Sequence, residues 1–293
     1  MSRKASEGLR SELGVFQKLL KVHNERCKVR NRVGGRNQYG DTGRSEDIMN
    51  LEPSTVRILL GKEDPLVLEI GAHVGTDTRQ FLDAFRNIKL YCFEPDPRCI
   101  KKHRRLIHDK RCTLIESAIS NNDGKAVLSV SSGWPPGHPR PTIQVGKSVT
   151  LLGVTLSFYL RIPTKGDWNA SSSIKKAVSH SIKHPWLDFS QTVEVRTRTL
   201  DSWTKEMGIS YVDFIWSDVQ GAERDMIEGA VNTLRETGMV YMEYGETSTY
   251  PDALTRDATV GLMEKHGFRL IPDYSSPSHD SAGNLLFKNK NLK

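Results

Sequence analysis

Hydrophobic positions in this chain fall into short runs separated by polar, turn-forming stretches. LVLEI (66–70), KLYCF (89–93), CTLIES (112–117), YVDFIWS (211–217), MVYMEY (239–244) and FRLI (268–271) are such runs. Short apolar runs bounded by turn signals predict buried strands. Between them apolar residues return at helical spacing. Helices are predicted over 46–61, around Phe81, Leu82 and Phe85, over 97–108, from Ala222 onward and near 252–266. In the helix from Ala222, residues Met226, Ile227, Ala230, Val231 and Leu234 form one apolar stripe. Strands alternating with helices predict an α/β fold, a mostly parallel, doubly wound sheet.

Two segments break the alternation. Residues 118–200 carry turn signals (NNDG at 121–124, GWPPGHPRP at 133–141) and β-rich runs such as TLSFYLRI at 155–162. They predict a β-rich insert, about 132–192, at one end of the sheet, where long loops shape pockets. At the start of the chain, Leu9, Leu13, Phe16, Leu20 and Val22 predict an amphipathic helix over 8–23, followed by a glycine-rich loop at 30–44. The expected organisation is an N-terminal basic helical extension or arm, 1–45, and one α/β domain, 46–293.

Charge sharpens this division. The 293 residues carry a net charge of +7, and the first 50 hold eleven Lys and Arg against six Asp and Glu. Most of the basic excess therefore belongs to the arm, which suits an anionic partner or a second subunit in a homodimer. Cys27, Cys92, Cys99 and Cys112 show no C-x-x-C spacing, which disfavours zinc ribbons and thioredoxin chemistry, and four cysteines in 293 residues make no disulfide scaffold, so reduced thiols in a cytoplasmic protein are expected. No stretch approaches the roughly 18 apolar residues of a membrane span, and no apolar segment follows the basic start. The basic run from Arg98 to Arg111 contains no aromatic residue, so it reads as a solvated helix face more than as a nucleic-acid stripe.

The chemistry concentrates at strand ends. In VLEIGAHVG, 67–75, a buried strand ends at Glu69, turns through Gly71 and leads into a helix at Gly75. The next strand ends at Glu94, placed to accept hydrogen bonds from both hydroxyls of a ribose. A dinucleotide site would need G-x-G-x-x-G, and the second and third glycines are absent. S-adenosylmethionine (SAM), a phosphate-free cation, fits the acid and the looser turn better. A dinucleotide and a purely structural turn remain the other readings. The cofactor-binding candidates are Glu69, Gly71, Ala72, His73, Gly75, Thr76, Glu94, Pro95, Ser117, Ala118 and Asp218, with Ser117 and Ala118 beside the adenine. SDVQGAERDMIEGA, 217–230, sets Asp218 at the same sheet edge and Glu223 in the first turn of a helix, where it also suits the helix dipole.

EIGAHVG (69–75), FEPDP (93–97), SAIS (117–120), ASSS (170–173), VRTRTLDSW (195–203) and SDVQGAERDMIEGA (217–230) together resemble the FkbM-type family of SAM-dependent methyltransferases over about residues 60–275. The resemblance implies a class I Rossmann-like methyltransferase fold, a seven-stranded sheet whose last strand is antiparallel, with helices on both faces. It also implies O-methyl transfer to a hydroxyl of a sugar, nucleotide-sugar, glycan or related small molecule. The chain departs from the family at His73, where Asn is common, and at Gln220, where an acid is common. The arm and residues 132–165 fall outside the resemblance.

A sugar hydroxyl is a poor nucleophile and needs a base or a metal. Asp218, Glu243 and Glu223 are the candidate catalytic carboxylates, and Asp218 with Glu243, joined by Glu246, would suit Mg²⁺ or Mn²⁺. His180 and His184, four apart, read as polar residues near the pocket, with a general base as the second reading. An RNA-directed methyltransferase and a non-catalytic SAM-binding module are the alternative functions.

Overall fold

The computed structural model of the chain describes residues 51–137, 142–151, 154–163, 168–176, 185–245, 250, 252–276 and 282–292. The predicted helix at 8–23, Cys27, His180, His184 and Glu246 lie outside the described residues. All the described residues belong to one compact unit, Ile48–Lys293.

The elements follow the predicted alternation. Helix α1 (Pro53–Leu60) precedes β1 (Leu66–Ile70), and α2 (Thr76–Ala84) precedes β2 (Lys89–Phe93). Then come α3 (Pro97–Leu106), β3 (Cys112–Ile115) and the short β4 (Ala118–Ile119). The insert supplies β5 (Gly124–Gly133), β6 (Thr142–Leu151), β7 (Val154–Pro163) and β8 (Leu187–Arg198). The second half runs α4 (Leu200–Glu206), β9 (Val212–Ser217), α5 (Glu223–Glu228), α6 (Val231–Arg235), β10 (Thr237–Tyr244), α7 (Arg256–Lys265), β11 (Phe268–Ile271) and β12 (Gly283–Asn289).

Seven strands form the main sheet in the order β11-β12-β10-β9-β1-β2-β3. β1 pairs in parallel with both β2 and β9, and β12 pairs antiparallel with both β10 and β11. The chain therefore reverses its winding between β1 and β9. Such a switch point opens a crevice at the carboxyl ends of the strands. The insert adds a three-stranded sheet, β4-β8-β5, and a separate β6–β7 hairpin.

Strand alternation divides the core between the two faces of the sheet. Tyr91 and Phe93 pack edge-on against Trp203 of α4, at ring-centroid distances of 4.8 and 4.9 Å. This face continues through Ile215, Val240, Met226, Leu234 and Met263, all fully buried. On the opposite face Trp216 meets Phe81 of α2 at 5.4 Å and Tyr241 at 4.6 Å. Helices cover both faces, as a buried parallel sheet requires.

Three boundaries differ from the sequence reading. β12, GNLLFKN, was not among the six predicted strands; it slots between β10 and β11 and makes the sheet seven-stranded. The helix from Ala222 is two helices, broken at Gly229 and Ala230. A side chain at Gly229 would overlap the carbonyl of Ser120, so the backbones meet there and the apolar stripe continues across a corner. The helix near 252–266 starts only at Arg256, because the side chain of Thr255 caps it by accepting from the Ala258 N–H.

Asp201 ties the second half together. Its carboxylate accepts from the backbone and side chain of both Asn232 and Thr233, at 2.7–2.9 Å, and so anchors the start of α6 on α4. Asn289 of β12 donates to the carbonyls of Leu234, Arg235 and Thr237, closing the other end of α6.

Trp203→Ala removes the ring on which Tyr91 and Phe93 pack. It is expected to lower unfolding free energy by about 3–5 kcal/mol, the usual loss for a buried aromatic, measured by urea denaturation.

Candidate functional site

The crevice at the switch point is lined by the turn after β1, the end of β2, the start of β4, the insert and the loop after β9. Gly71, Ala72, His73, Thr76, Glu94, Pro95, Ser117, Ala118 and Asp218 all line it. Eleven cofactor-binding candidates were read from the sequence, and these nine reach the wall. Sequence reasoning missed Asp77, Asn169, Leu128 and Ile174, which line the same cavity.

Gly71 fixes how closely the two halves approach. Its φ is 86°, and a Cβ there would overlap the carbonyl oxygen of Asp218. The Asp218 N–H in turn donates to Ile70 O at 2.8 Å. Gly75, at φ 91°, packs on His103, whose ring carbon would lie 2.8 Å from an added Cβ. Gly75 thus positions the turn from below without lining the cavity.

Glu94 is 6% exposed and accepts two backbone N–H groups, from His73 at 2.7 Å and from Asp96 at 2.8 Å. Burial outweighs these bonds and pushes its pKa up to about 7. Asp96, next along, caps α3 and is gripped by Arg98, and these hydrogen bonds hold its carboxyl below the usual range despite burial. Ser172 of the insert donates to the same Asp96 at 3.1 Å, which ties the insert to the sheet edge. Within the basic run, Arg104 of α3 pairs with Glu116, and Arg111, beyond the helix, pairs with Asp109.

Glu69 does not face the cavity. It is 2% exposed beneath the turn, where its Oε2 accepts from Thr78 Oγ1 at 2.6 Å and Cys92 Sγ at 3.1 Å. Burial raises its pKa to about 8. The acid on the wall near that turn is Asp77, its pKa raised by burial and by the charge of Asp218. Asp77 was overlooked because a carboxylate in a first helical turn already has a dipole role.

Asp218 is exposed on the cavity wall. Glu243 and Glu223 stand behind it. Gln220 donates its side-chain amide to Asp218 Oδ1 at 2.7 Å and to Glu243 Oε2 at 2.9 Å. Burial and the neighbouring Asp218 charge push the Glu243 carboxyl well above the usual carboxylate range. Glu223 is 1% exposed, accepts from the Gly221 N–H at 2.8 Å, and is raised by burial to about 7. It braces the loop and does not reach the cavity.

The expectation of Mg²⁺ or Mn²⁺ between Asp218 and Glu243 is corrected by this arrangement. An amide NH₂, which ligates no metal, occupies the position between the two carboxylates. The donor set does not fit a resident hard cation.

Two non-glycine residues adopt positive φ among the described residues, His73 at 51° and Gln220 at 49°, and both line the cavity. His73 Nε2 lies 2.7 Å from Asn169 Oδ1. The carbonyl of Gln220 accepts from Ser173 Oγ at 2.6 Å. Such conformations persist where surrounding bonds enforce them, and they concentrate at binding sites. Two buried polar atoms of wall residues, Asn169 Nδ2 and Ser117 Oγ, have no protein partner among the described residues. Unpartnered buried polar atoms are the mark of a ligand site. The wall thus combines acids, Asp77, Glu94 and Asp218, with unsatisfied hydrogen-bonding atoms. This set suits a cationic ligand with several hydroxyl groups, as SAM is.

Residues 69–270 match the methyltransferase FkbM domain. The 2-O-methyltransferase NoeI of Sinorhizobium fredii is 32% identical over 235 residues, covering 80% of this chain and 83% of that protein. Solved structures align at a lower level. The magnesium protoporphyrin IX methyltransferase ChlM of Synechocystis aligns at 9% identity and TM-score 0.40, over 87% of this chain and 89% of that one. A fibrillarin pre-rRNA processing protein of Methanococcus jannaschii aligns at 11% identity and TM-score 0.41, over 88% and 86%.

A hydroxyl-donating ligand at Glu94 binds the ionised carboxylate. SAM affinity is therefore expected to be pH-independent above about 7 and to fall up to about tenfold per pH unit below it. Calorimetric titration across that range checks this, and Glu94→Gln should weaken binding and flatten the profile.

Proposed function

Because the chain belongs to the FkbM methyltransferase family and is a SAM-dependent methyltransferase, we propose that it methylates a hydroxyl oxygen of a sugar, nucleotide-sugar or glycan. SAM supplies an electrophilic methyl group on a sulfonium. Glu94 accepts the ribose hydroxyls, Ser117 and Ala118 border the adenine, and the turn from Gly71 to Thr76 carries the methionyl end. Asp77 and Asp218 give that end a negative surrounding.

The observation that carries the reading is the Asp218–Gln220–Glu243 group. Asp218 is exposed on the wall, while Glu243 is half-buried behind it, and burial and the Asp218 charge push its carboxyl well above the usual carboxylate range. Two close carboxyl groups in such different surroundings leave the exposed one as the proton acceptor. In this reading Asp218 takes the proton of the acceptor hydroxyl as the oxygen attacks. Gln220 holds Asp218 in place through its amide. Most of the remaining rate comes from holding oxygen, methyl carbon and sulfur in line.

Two further features support the reading. The relative NoeI is named a 2-O-methyltransferase, which favours an oxygen acceptor. Beside the wall residue Asn169, Trp168 and Trp186 form a half-exposed edge-to-face pair with centroids 5.3 Å apart. An aromatic face next to unsatisfied amide donors suits a ring that is apolar on its faces and polar at its rim. We take residues 1–45 as a basic arm that recruits an anionic acceptor, and 46–293 as the catalytic domain.

A SAM-turnover screen against nucleotide-sugars, free glycans and RNA, with and without EDTA, tests the reading. The expected product is a methylated sugar, formed equally with EDTA present. Methylation of RNA alone, or no SAM binding at all, would overturn it. Asp218→Asn is expected to lower kcat by about 10²–10⁴-fold, the usual contribution of a general base, while SAM affinity stays near that of the parent.

A further inference from the structure

Below the cofactor turn, on the sheet face covered by α2 and α3, three ligating side chains from three elements converge. Cys92 of β2, Cys112 of β3 and His103 of α3 bring their two Sγ atoms and one ring nitrogen within 4.8 Å of one another. The two sulfurs are 3.5 Å apart. Tetrahedral zinc, with Zn–S near 2.3 Å and Zn–N near 2.0–2.1 Å, spaces its ligands at roughly 3.8 Å (S···S) and roughly 3.6 Å (S···N). The triangle therefore needs to move by no more than about 1 Å to hold such an ion.

Two oxygen atoms hydrogen-bond to members of the triangle. Glu69 Oε2 lies 3.1 Å from Cys92 Sγ, and Thr78 Oγ1 lies 3.1 Å from His103 Nε2. Thr78 and Glu69 are themselves joined at 2.6 Å. Cys92 and His103 are buried and Cys112 is half-buried, so the cluster is enclosed but has one approach from solvent.

We propose that Cys92, Cys112 and His103 form a structural site for a thiophilic divalent cation, zinc by its donor set. Two sulfur donors and one imidazole select zinc over magnesium or calcium. Binding replaces two S–H bonds with two Zn–S bonds and releases two protons to solvent. The ion ties β2, β3 and α3 together beneath the residues that shape the cofactor turn. It takes no part in methyl transfer, so the proposal stands or falls apart from the acceptor assignment.

The test uses the full-length chain, reduced and stripped of metal, in a Cys27→Ser, Cys99→Ser background that leaves only the Cys92–Cys112 pair. Titration with Co²⁺ should give stoichiometric binding, a thiolate-to-cobalt charge-transfer band and the visible bands of a tetrahedral site, all displaced by Zn²⁺. Cys112→Ser should abolish the charge-transfer intensity from one sulfur and weaken Co²⁺ binding by more than the about 10–100-fold that an outer-shell change costs. Native mass spectrometry of the unsubstituted chain, supplied with Zn²⁺, should show one added zinc less two protons. Absence of the thiolate band, unchanged affinity in Cys112→Ser, no zinc adduct, or a Cys92–Cys112 disulfide in freshly isolated protein would each overturn the proposal.

Discussion

The contact between Gly71 and the backbone of Asp218 governs the architecture of the site. Two parallel strands, β1 and β9, run side by side, and the chain leaves them in opposite directions. Their ends stay close only because Gly71 has no side chain to strike the Asp218 carbonyl. From this approach follow the cavity, the facing of Asp77 and Glu94 toward Asp218, and the mutual electrostatic influence of those acids. A larger residue would separate the β1 turn from the β9 loop, and with them the cofactor side from the acceptor side.

The chain places negative charge at this edge and restrains it in two ways. Acids beneath the surface, Glu69, Glu223 and Glu243, are pushed toward their neutral forms by burial. They act as hydrogen-bonded struts for the loops above them. Asp218 alone among these four is exposed on the wall. Between the struts and the open carboxylate stands Gln220, where the family commonly has an acid. Its amide satisfies two carboxyl groups at once, and its carbonyl is anchored by the insert through Ser173. One substitution thus replaces charge repulsion with a pair of hydrogen bonds.

Much of this was legible in the sequence, for reasons visible in particular residues. The strands at 66–70, 89–93 and 211–217 are continuous apolar runs because both faces of the sheet are covered. The strand-end positions of Gly71, Glu94 and Asp218 followed directly from those runs. β12 was harder: GNLLFKN pairs antiparallel within a mostly parallel sheet, and among the described residues a short 3₁₀ turn, Pro272–Tyr274, and no α-helix separates it from β11, so it breaks the alternation that revealed the others. Glu69 and Asp77 show a second boundary. Both are acids near one turn, and strand pleating, which decides which of them faces the cavity, depends on neighbours distant in sequence. Asn169 was invisible because it comes from the insert, where spacing carries no information about what it will meet. His73 and Asn169 are joined only after β5 and β8 fold over the sheet edge.

The position of β12 carries a consequence for how the chain assembles. β11 touches the sheet only through β12, and β10 presents an open edge until β12 arrives. During synthesis the cofactor turn and the whole β3-β2-β1-β9-β10 half are made before that edge is sealed. A nascent chain at this stage exposes a row of unpaired β10 backbone groups beside the apolar surface destined for Phe268 and Phe287. That interval is when strand exchange between neighbouring chains competes with correct closure.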